Sequence, residues 1–209
     1  MYRVQLALGV GGAQTPPLIP ADLKDQRLYS QKKRSPMTKP HDEPSAEIQL
    51  IPATPEQEPI LANLLELYLH DFSEFLDIAL EADGRFHYAN LPLYWSQQDR
   101  YPFLVEVNGK WAGLVLVKRG SEITGDVPAW DMAEFFVTRR CRRRGVGTQI
   151  AHQVWKRFPG PWEVRVMQSN LPAYNFWSRT IGSFTRQPMQ PVHIEKNGTF
   201  WNLFSFESK

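Results

Sequence analysis

Apolar positions along the chain change period several times, and each change marks an element. Glu47 to Pro52 alternates as a strand does. Thr54-Pro55-Glu56-Gln57 then reads as a capping box with proline at the first helical position. Behind it Ile60, Leu61, Leu64, Leu65, Tyr68, Leu69 and Phe72 recur every three or four residues, which predicts a helix with one apolar face. A second helical piece is expected over residues 73 to 82, ahead of the Asp83-Gly84 turn. Tyr101 to Val107 and Trp111 to Lys118 read as strands joined at Asn108-Gly109, the dipeptide that favours a two-residue hairpin turn. A long strand over 129 to 138 follows. After it Val146, Ile150, Ala151, Val154, Trp155 and Phe158 predict a helix, which Pro159-Gly160-Pro161 stops.

Trp162 to Met167 is strand-like, and Asn170 then caps a further helix, with Pro172 in its first turn and Gly182 suited to its end. Ile194 to Lys196 and Thr199 to Phe206 make a last hairpin about Asn197-Gly198. The predicted order is β-α-α-β-β-β-α-β-α-β-β. That order implies an α+β domain with a mixed sheet.

Composition divides the chain near residue 45. Residues 1 to 45 carry prolines at 16, 17, 20, 36, 40 and 44 and the run Lys32-Lys33-Arg34, with no apolar period, so a disordered extension is expected there. Seven Lys/Arg against four Asp/Glu give this segment +3; the whole chain is +2, leaving −1 for residues 46 to 209. The basic balance therefore belongs to the extension. Met37 is an alternative start for the functional chain. In the remainder, 42% hydrophobic residues overall suffice for one core. No apolar run reaches the ~18 residues of a membrane span, and Val4 to Ala13 makes a poor signal peptide, so no membrane association is expected. One cysteine excludes a disulfide framework and fits a reducing cytoplasm. The five histidines never fall at metal-ligand spacing with Cys or acidic residues, so no metal is expected.

The most informative stretch is Val137-Thr138-Arg139-Arg140-Cys141-Arg142-Arg143-Arg144-Gly145-Val146-Gly147-Thr148. It carries a strand through a glycine-containing turn into a helix N-terminus. Such a junction aims unpaired N–H groups at one point, and the helix dipole adds to their field. Gly145 and Gly147 let a bulky anion approach the backbone. A phosphate-bearing ligand is expected. The turn lacks the Lys-Ser/Thr of a P-loop and the three glycines of a dinucleotide fingerprint.

Arg142-Arg143-Arg144-Gly145-Val146-Gly147 resembles the Arg/Gln-x-x-Gly-x-Gly/Ala coenzyme A loop of the GNAT N-acetyltransferases. Asn170-Leu171-Pro172-Ala173-Tyr174-Asn175-Phe176-Trp177 resembles that family's second motif, Asn-x-x-Ala-x-x-Phe/Leu-Tyr, with Ala173 and Phe176 matching. The resemblance covers residues 46 to 209 as one acetyltransferase domain and implies a mixed, mostly antiparallel central sheet flanked by helices on both faces, a three-layer arrangement of the α/β type. It implies acetyl-CoA as co-substrate and direct attack by an amine in a ternary complex. Donor binding would fall to the amides of Arg142 to Thr148, including Arg143, Arg144, Gly145, Val146 and Gly147, with the Thr148 hydroxyl as a further donor. The pantetheine arm would pair with the edge of Phe135 to Val137, the Val137 N–H would meet the thioester oxygen, and Asn170 would hold the pantetheine amide. The Phe135 and Val137 side chains themselves read as core. Arg142, at the motif position, is expected to reach phosphate first, while Arg139 and Arg140 face solvent.

Acid and base are less determined. The family's commonest general acid, a tyrosine seven residues after the asparagine, is Trp177 here. An indole is no acid at neutral pH, so either Tyr174 takes the role or water protonates the thiolate. Glu134 is the leading base; strict alternation sets it on the side of Met132 and Phe136, partly buried with a raised pKa. An edge carboxylate pairing an arginine is the competing reading. His70 with Asp71 is the second base candidate, and Asp71 with Glu74 would draw in a cationic amine. Cys141, among arginines that favour a thiolate, points toward phosphates in this reading.

The acceptor, a small-molecule or peptide amine, is left open. Tyr68, Phe72, Phe75, Phe86, Tyr88, Tyr94 and Trp95 with nearby acids suit an ammonium group, and equally suit a core beneath a long loop. A homodimer is compatible with the resemblance. The alternative reading is a non-catalytic CoA-binding or regulatory module, and a more distant one is nucleic-acid binding through the arginines. The near-neutral charge of residues 46 to 209 and the lack of a reading motif argue against a nucleic-acid partner.

Overall fold

The computed structural model describes residues 46–209, so the expectations for residues 1 to 45, including Met37, lie outside the described residues. In chain order the elements are β1 (Ile48–Pro52), α1 (Glu58–Phe72), α2 (Leu93–Ser96), β2 (Arg100–Val107), β3 (Lys110–Arg119), β4 (Trp130–Val137), α3 (Val146–Arg157), β5 (Gly160–Met167), α4 (Leu171–Thr185), β6 (Val192–Lys196) and β7 (Thr199–Ser208). They form a seven-stranded sheet in the order β1-β2-β3-β4-β5-β7-β6. Only the central β4–β5 pair is parallel; the other neighbours are antiparallel. Among the described residues no helix is long and apolar enough to cross a membrane.

Each face of the sheet has its own core. Leu61, Leu64 and Leu65 of α1 pack with Tyr94 of α2 on Leu104, Leu114, Leu116 and Phe136. On the other face α3 (Val146, Ile150, Val154, Trp155) and α4 (Trp177, Ile181) cover Phe103, Val105, Val115, Val117, Val164 and Phe204. Strand β3 feeds both faces, and Ala112 to Lys118 is buried throughout. A strand covered on both sides reads as a continuous apolar run. Both hairpin turns form as their dipeptides demand, with positive φ at Asn108 and Gly109 (51° and 72°) and at Asn197 and Gly198 (53° and 75°). Gln57 accepts the Thr54 N–H at 3.1 Å at the start of the first helical turn.

Two expected features differ. Residues 73 to 82 are not helical: Ser73 caps α1 by donating its hydroxyl to the His70 carbonyl (2.7 Å), and the Phe75 and Leu76 amides both turn back to Phe72. The second helix is instead the single turn of α2. Glu66 accepts the Phe86 and His87 amides (2.8 and 3.1 Å) and so holds the long connection against α1. Gly182 does not end α4 either. The helix runs on to Thr185 and closes with Arg186 at φ 57°. A Cβ on Gly182 would lie 3.3 Å from the Gln187 carbonyl, so this glycine admits the returning chain.

Candidate active site

The site begins where the two parallel strands part. β4 and β5 pair only at Trp130–Trp162 and Asp131–Glu163, after which both continue without each other. The Thr138 N–H donates to the Ala112 carbonyl (2.8 Å), toward β3. In an antiparallel ladder successive residues face opposite neighbours. Phe135 and Val137 therefore turn their N–H and C=O groups to the open side, where the Val137 carbonyl accepts from Arg142 Nε at 2.6 Å.

From this edge a cleft of about 960 Å³ extends over the arginine loop and α4, and a recess of about 270 Å³ enters between β4, β5 and the end of α1. Tyr68, Phe72, Phe135, Asn170 and Ala173 line both.

At the cleft's outer end the chain turns through Arg143 (φ 61°) and Gly145 (φ 78°) into α3. The first helical bond is Gln149 N–H to the Gly145 carbonyl (3.0 Å). Among the described residues the amides of 143 to 148 have no protein acceptor, six successive donors at a helix N-terminus. Arg143, Gly145, Gly147 and Thr148 line the cleft. Gly147 is also a packing position, since a Cβ there would fall 3.0 Å from the Phe176 ring. The Thr148 hydroxyl lies 3.2 Å from that of Thr180, and the Val146 side chain is buried in the α3 core. Arg144 and Arg140 are exposed.

The arginines divide differently from expectation. Arg142 is exposed but engaged: its guanidinium donates to Asp71 (2.6 Å) and to the Val137 carbonyl, with its cation 5.5 Å from the Phe136 ring centre. Arg139, 76% exposed, donates to the other Asp71 oxygen at 2.6 Å. Asp71 thus engages both guanidinium groups. Burial pushes the Asp71 carboxyl up, but the two guanidinium groups outweigh it and hold it below its ordinary value. Asp71 is thereby neutralised and cannot act as a free attractor of amines. His70 lies 3.9 Å from Asp71 with most of its ring in solvent, and it lines neither cavity. The His70–Asp71 pair is thus not assembled as a base. Cys141 is buried in the α3 core and, against expectation, does not line the cleft beside the arginine loop.

Glu134 stands at the floor of the recess. Strict alternation fails just before it: Leu116 pairs with Glu134 but Val117 with Met132, so Ala133 is an extra residue in β4. The bulge puts Met132 in the α3 core, while Glu134 and Phe136 turn toward α1. The Tyr88 hydroxyl donates to Glu134 at 2.8 Å, and Tyr68 also hydrogen-bonds it. Burial raises the Glu134 pKa, opposed by the Arg165 charge and the two tyrosines. The same desolvation, with the Glu134 charge, drives the Tyr68 and Tyr88 hydroxyls well above their ordinary values, so both stay protonated donors. Arg165 of β5 binds both Asp131 oxygens, reaches the Ala133 carbonyl at 3.4 Å and lies 3.5 Å from Glu122. Lys118 completes this cluster beside Asp131 (3.7 Å).

On α4 the Asn170 side chain accepts the Ala173 N–H at 3.0 Å as an N-cap, and the residue lines both cavities. Phe176 stacks on Phe135 (5.7 Å), and Trp177 packs edge-on to Phe135 at 4.9 Å, buried. Tyr174 lines neither cavity; its ring turns toward Phe204 of β7 (5.9 Å). The helix rotation that aims Ala173 and Trp177 at the opening carries Tyr174 to the sheet.

Several cavity residues escape sequence reasoning. Arg165 sits in an ordinary alternating strand, and its pairing with Asp131 spans 34 residues. Asn175, Arg179 and Ser183 reach the cleft through the helical period of α4, a signal present in the motif but unused. Leu76, Ile78 and Trp201 meet in the recess only through folding. Among the described residues no three His, Cys, Asp or Glu side chains converge as metal ligands would.

Against known proteins, the sequence model described as "Acetyltransferase (GNAT) family" matches residues 61–182. No curated protein matches the chain. Among solved structures, an acetyltransferase from Thermus thermophilus superposes with TM-score 0.52 at 18% identity, over 77% of this chain and 96% of that one. An aminoglycoside acetyltransferase in complex with coenzyme A gives TM-score 0.58 at 12% identity, over 77% and 95%. A spermidine N-acetyltransferase from Vibrio cholerae in complex with CoA and spermine gives 0.54 at 12%, over 77% and 95%. At these identities the likeness is one of fold.

Proposed function

The chain belongs to the GNAT acetyltransferase family, and on that premise we propose that it transfers the acetyl group of acetyl-CoA to an amine by direct attack in a ternary complex. One observation carries the reading: among the described residues six unpaired amides at a helix N-terminus and a partly buried carboxylate line two adjoining cavities that share Phe135 of the free β4 edge, Tyr68, Phe72, Asn170 and Ala173.

The residues present fit the donor. The amides of 143 to 148 and the dipole of α3 suit a diphosphate, and Arg143 and Arg144 lie beside them unpaired among the described residues. The open edge of Phe135 to Val137 offers strand-like hydrogen bonds to an amide-bearing arm, and the Asn170 NH2 adds another donor. When bound, acetyl-CoA supplies an activated thioester carbon. The Val137 N–H is placed to donate to the carbonyl oxygen as negative charge develops there; one such fixed donor is worth about 10²–10³ in rate. Glu134 accepts the ammonium proton, and its raised pKa places a base closer to neutral pH than an ordinary carboxylate would. Tyr68 and Tyr88 fix its orientation. With Tyr174 turned to β7 and Trp177 buried, the proton for the departing sulfur comes from solvent. The buried free thiol of Cys141 suits a reducing compartment such as the cytoplasm.

The absence of a side-chain acid on this face of α4 also favours a second reading, a CoA-binding module without turnover. Incubation with acetyl-CoA and an amine library, with mass detection of products, separates the two. Amine-dependent product supports transfer. Tight CoA binding with only amine-independent thioester loss would overturn it.

A further inference from the structure

We infer that the acceptor is a primary amine carried on an apolar body, with no carboxylate next to the nitrogen and no second ammonium group. The inference rests on the acetyl-transfer reading and assigns its substrate class. The recess that ends at Glu134 is walled by Leu69, Phe72, Leu76, Ile78, Met167 and Trp201, contributed by α1, the segment after it, β5 and β7. Only two ionisable groups with charge at neutral pH line it, Glu134 and Arg165.

Arg165 is not free to greet an anion. Its guanidinium binds both oxygens of Asp131 and lies 3.5 Å from Glu122, while Lys118 is taken by the same two carboxylates. A carboxylate beside the amine would meet Glu134 and find no available cation. Burying it unpaired is strongly unfavourable, because nothing replaces its lost hydration. A polyamine fails for the opposite reason. Within the recess its second ammonium would lie against Leu76, Ile78 or Trp201, where no carboxylate lines the wall; Asp71 and Glu74 line only the adjoining cleft, and Asp71 is already paired with Arg139 and Arg142. An apolar or aromatic body gains from the same wall, because its surface leaves water on entering.

The step balances simply. The ammonium gives one proton to Glu134, the neutral nitrogen forms its C–N bond as the C–S bond breaks, and the nitrogen's second proton leaves as the sulfur departs as thiol. The products are the N-acetyl amine, CoA and one proton, with no redox change.

The test compares kcat/KM with acetyl-CoA for 2-phenylethylamine, phenylalanine and spermidine on the full chain. The first is expected to exceed each of the others by at least about tenfold. In Ile78→Asp, at a partly exposed position in an irregular segment, a second carboxylate enters the recess wall. The ratio of spermidine to 2-phenylethylamine should then rise by about tenfold. Equal or faster turnover of phenylalanine or spermidine in the native chain overturns the substrate class while leaving acetyl transfer standing, as does an unchanged ratio in a folded Ile78→Asp. Product from no amine of any class, with acetyl-CoA bound by calorimetry, overturns transfer itself and this inference with it.

Discussion

Asp71, the penultimate residue of α1, holds the Arg142 guanidinium at 2.6 Å, and Arg142 in turn reaches back to the Val137 carbonyl. The contact ties the helix that walls the recess to the loop that carries the unpaired amides and to the free strand edge between them. Arg139 binds the second Asp71 oxygen, so the carboxylate clasps both ends of one short turn.

Arg142 and Arg143 should therefore behave differently when truncated. Arg143→Ala removes a cleft-lining cation that has no partner among the described residues and should weaken CoA binding about tenfold, ~1.4 kcal/mol. Arg142→Ala should lower the melting temperature, with a smaller change in CoA affinity. Calorimetry and thermal unfolding of both variants check the order. Because Arg143 sits at φ 61°, Arg143→Gly is a control that relaxes the backbone while removing the same charge.

The clasp also has a pH signature. The Asp71 carboxyl is held below its unfolded value, so its stabilisation is present above the unfolded carboxylate range and is lost as pH falls through the lowered value. Asp71→Asn should be less stable than the native chain at neutral pH, by about 1 kcal/mol for a partly exposed pair. Denaturant titrations at decreasing pH should show that gap closing at the acid end.

Glu134→Gln keeps the shape and the tyrosine contacts but removes the basicity. Turnover should fall by about 10²–10⁴ with CoA affinity preserved. The Glu134 pKa is raised, and the ionised form is the active one. The native rate should thus decline on the acid side starting at a higher pH than an ordinary glutamate would give, and this limb should be missing from the residual activity of the variant. Wild-type rates from Glu134→Gln would move the base elsewhere.

Tyr174→Phe tests whether the second motif supplies an acid. With its ring against Phe204 and away from both cavities, the substitution should leave the alkaline limb of the pH–rate profile unchanged. A lost limb would return Tyr174 to the chemistry.

Gly113→Ala is a stability test of the sheet beneath the site. A Cβ at this position of β3 would come 2.0 Å from the Phe136 carbonyl oxygen, a backbone atom that cannot yield without parting β3 from β4. A loss of more than about 3 kcal/mol is expected, beyond the usual range for a single substitution. Urea unfolding, or failure to recover folded protein, checks it.

Much of this architecture was legible because its causes are local. Asn108-Gly109 and Asn197-Gly198 accept positive φ, so their hairpins follow from two residues each. Asn170 caps α4 through a bond three residues away, and the Gly145 turn aims its amides with no help from elsewhere. The family motifs lie on these self-sufficient junctions. Glu134 was found from its strand, although the face it takes was not, because one extra residue at Ala133 reverses alternation and depends on pairing with β3.

What only tertiary structure decided are the relations between distant groups. Arg142 stands at the motif position, yet Asp71, 71 positions earlier, takes its guanidinium, since an ion pair formed in the folded state outcompetes solvent. Tyr174 and Trp177 differ by less than one helical turn, and the rotation of α4 against β7 chose which one faces the opening. Arg165 is one polar residue in an ordinary strand until Asp131, Glu122 and Glu134 converge on it from two other segments. Sequence by itself determined most of the elements, the family and the turn of unpaired amides, because each rests on contacts within a few residues. The charge of the recess and the identity of its base depend on long-range burial and pairing, which no local pattern encodes.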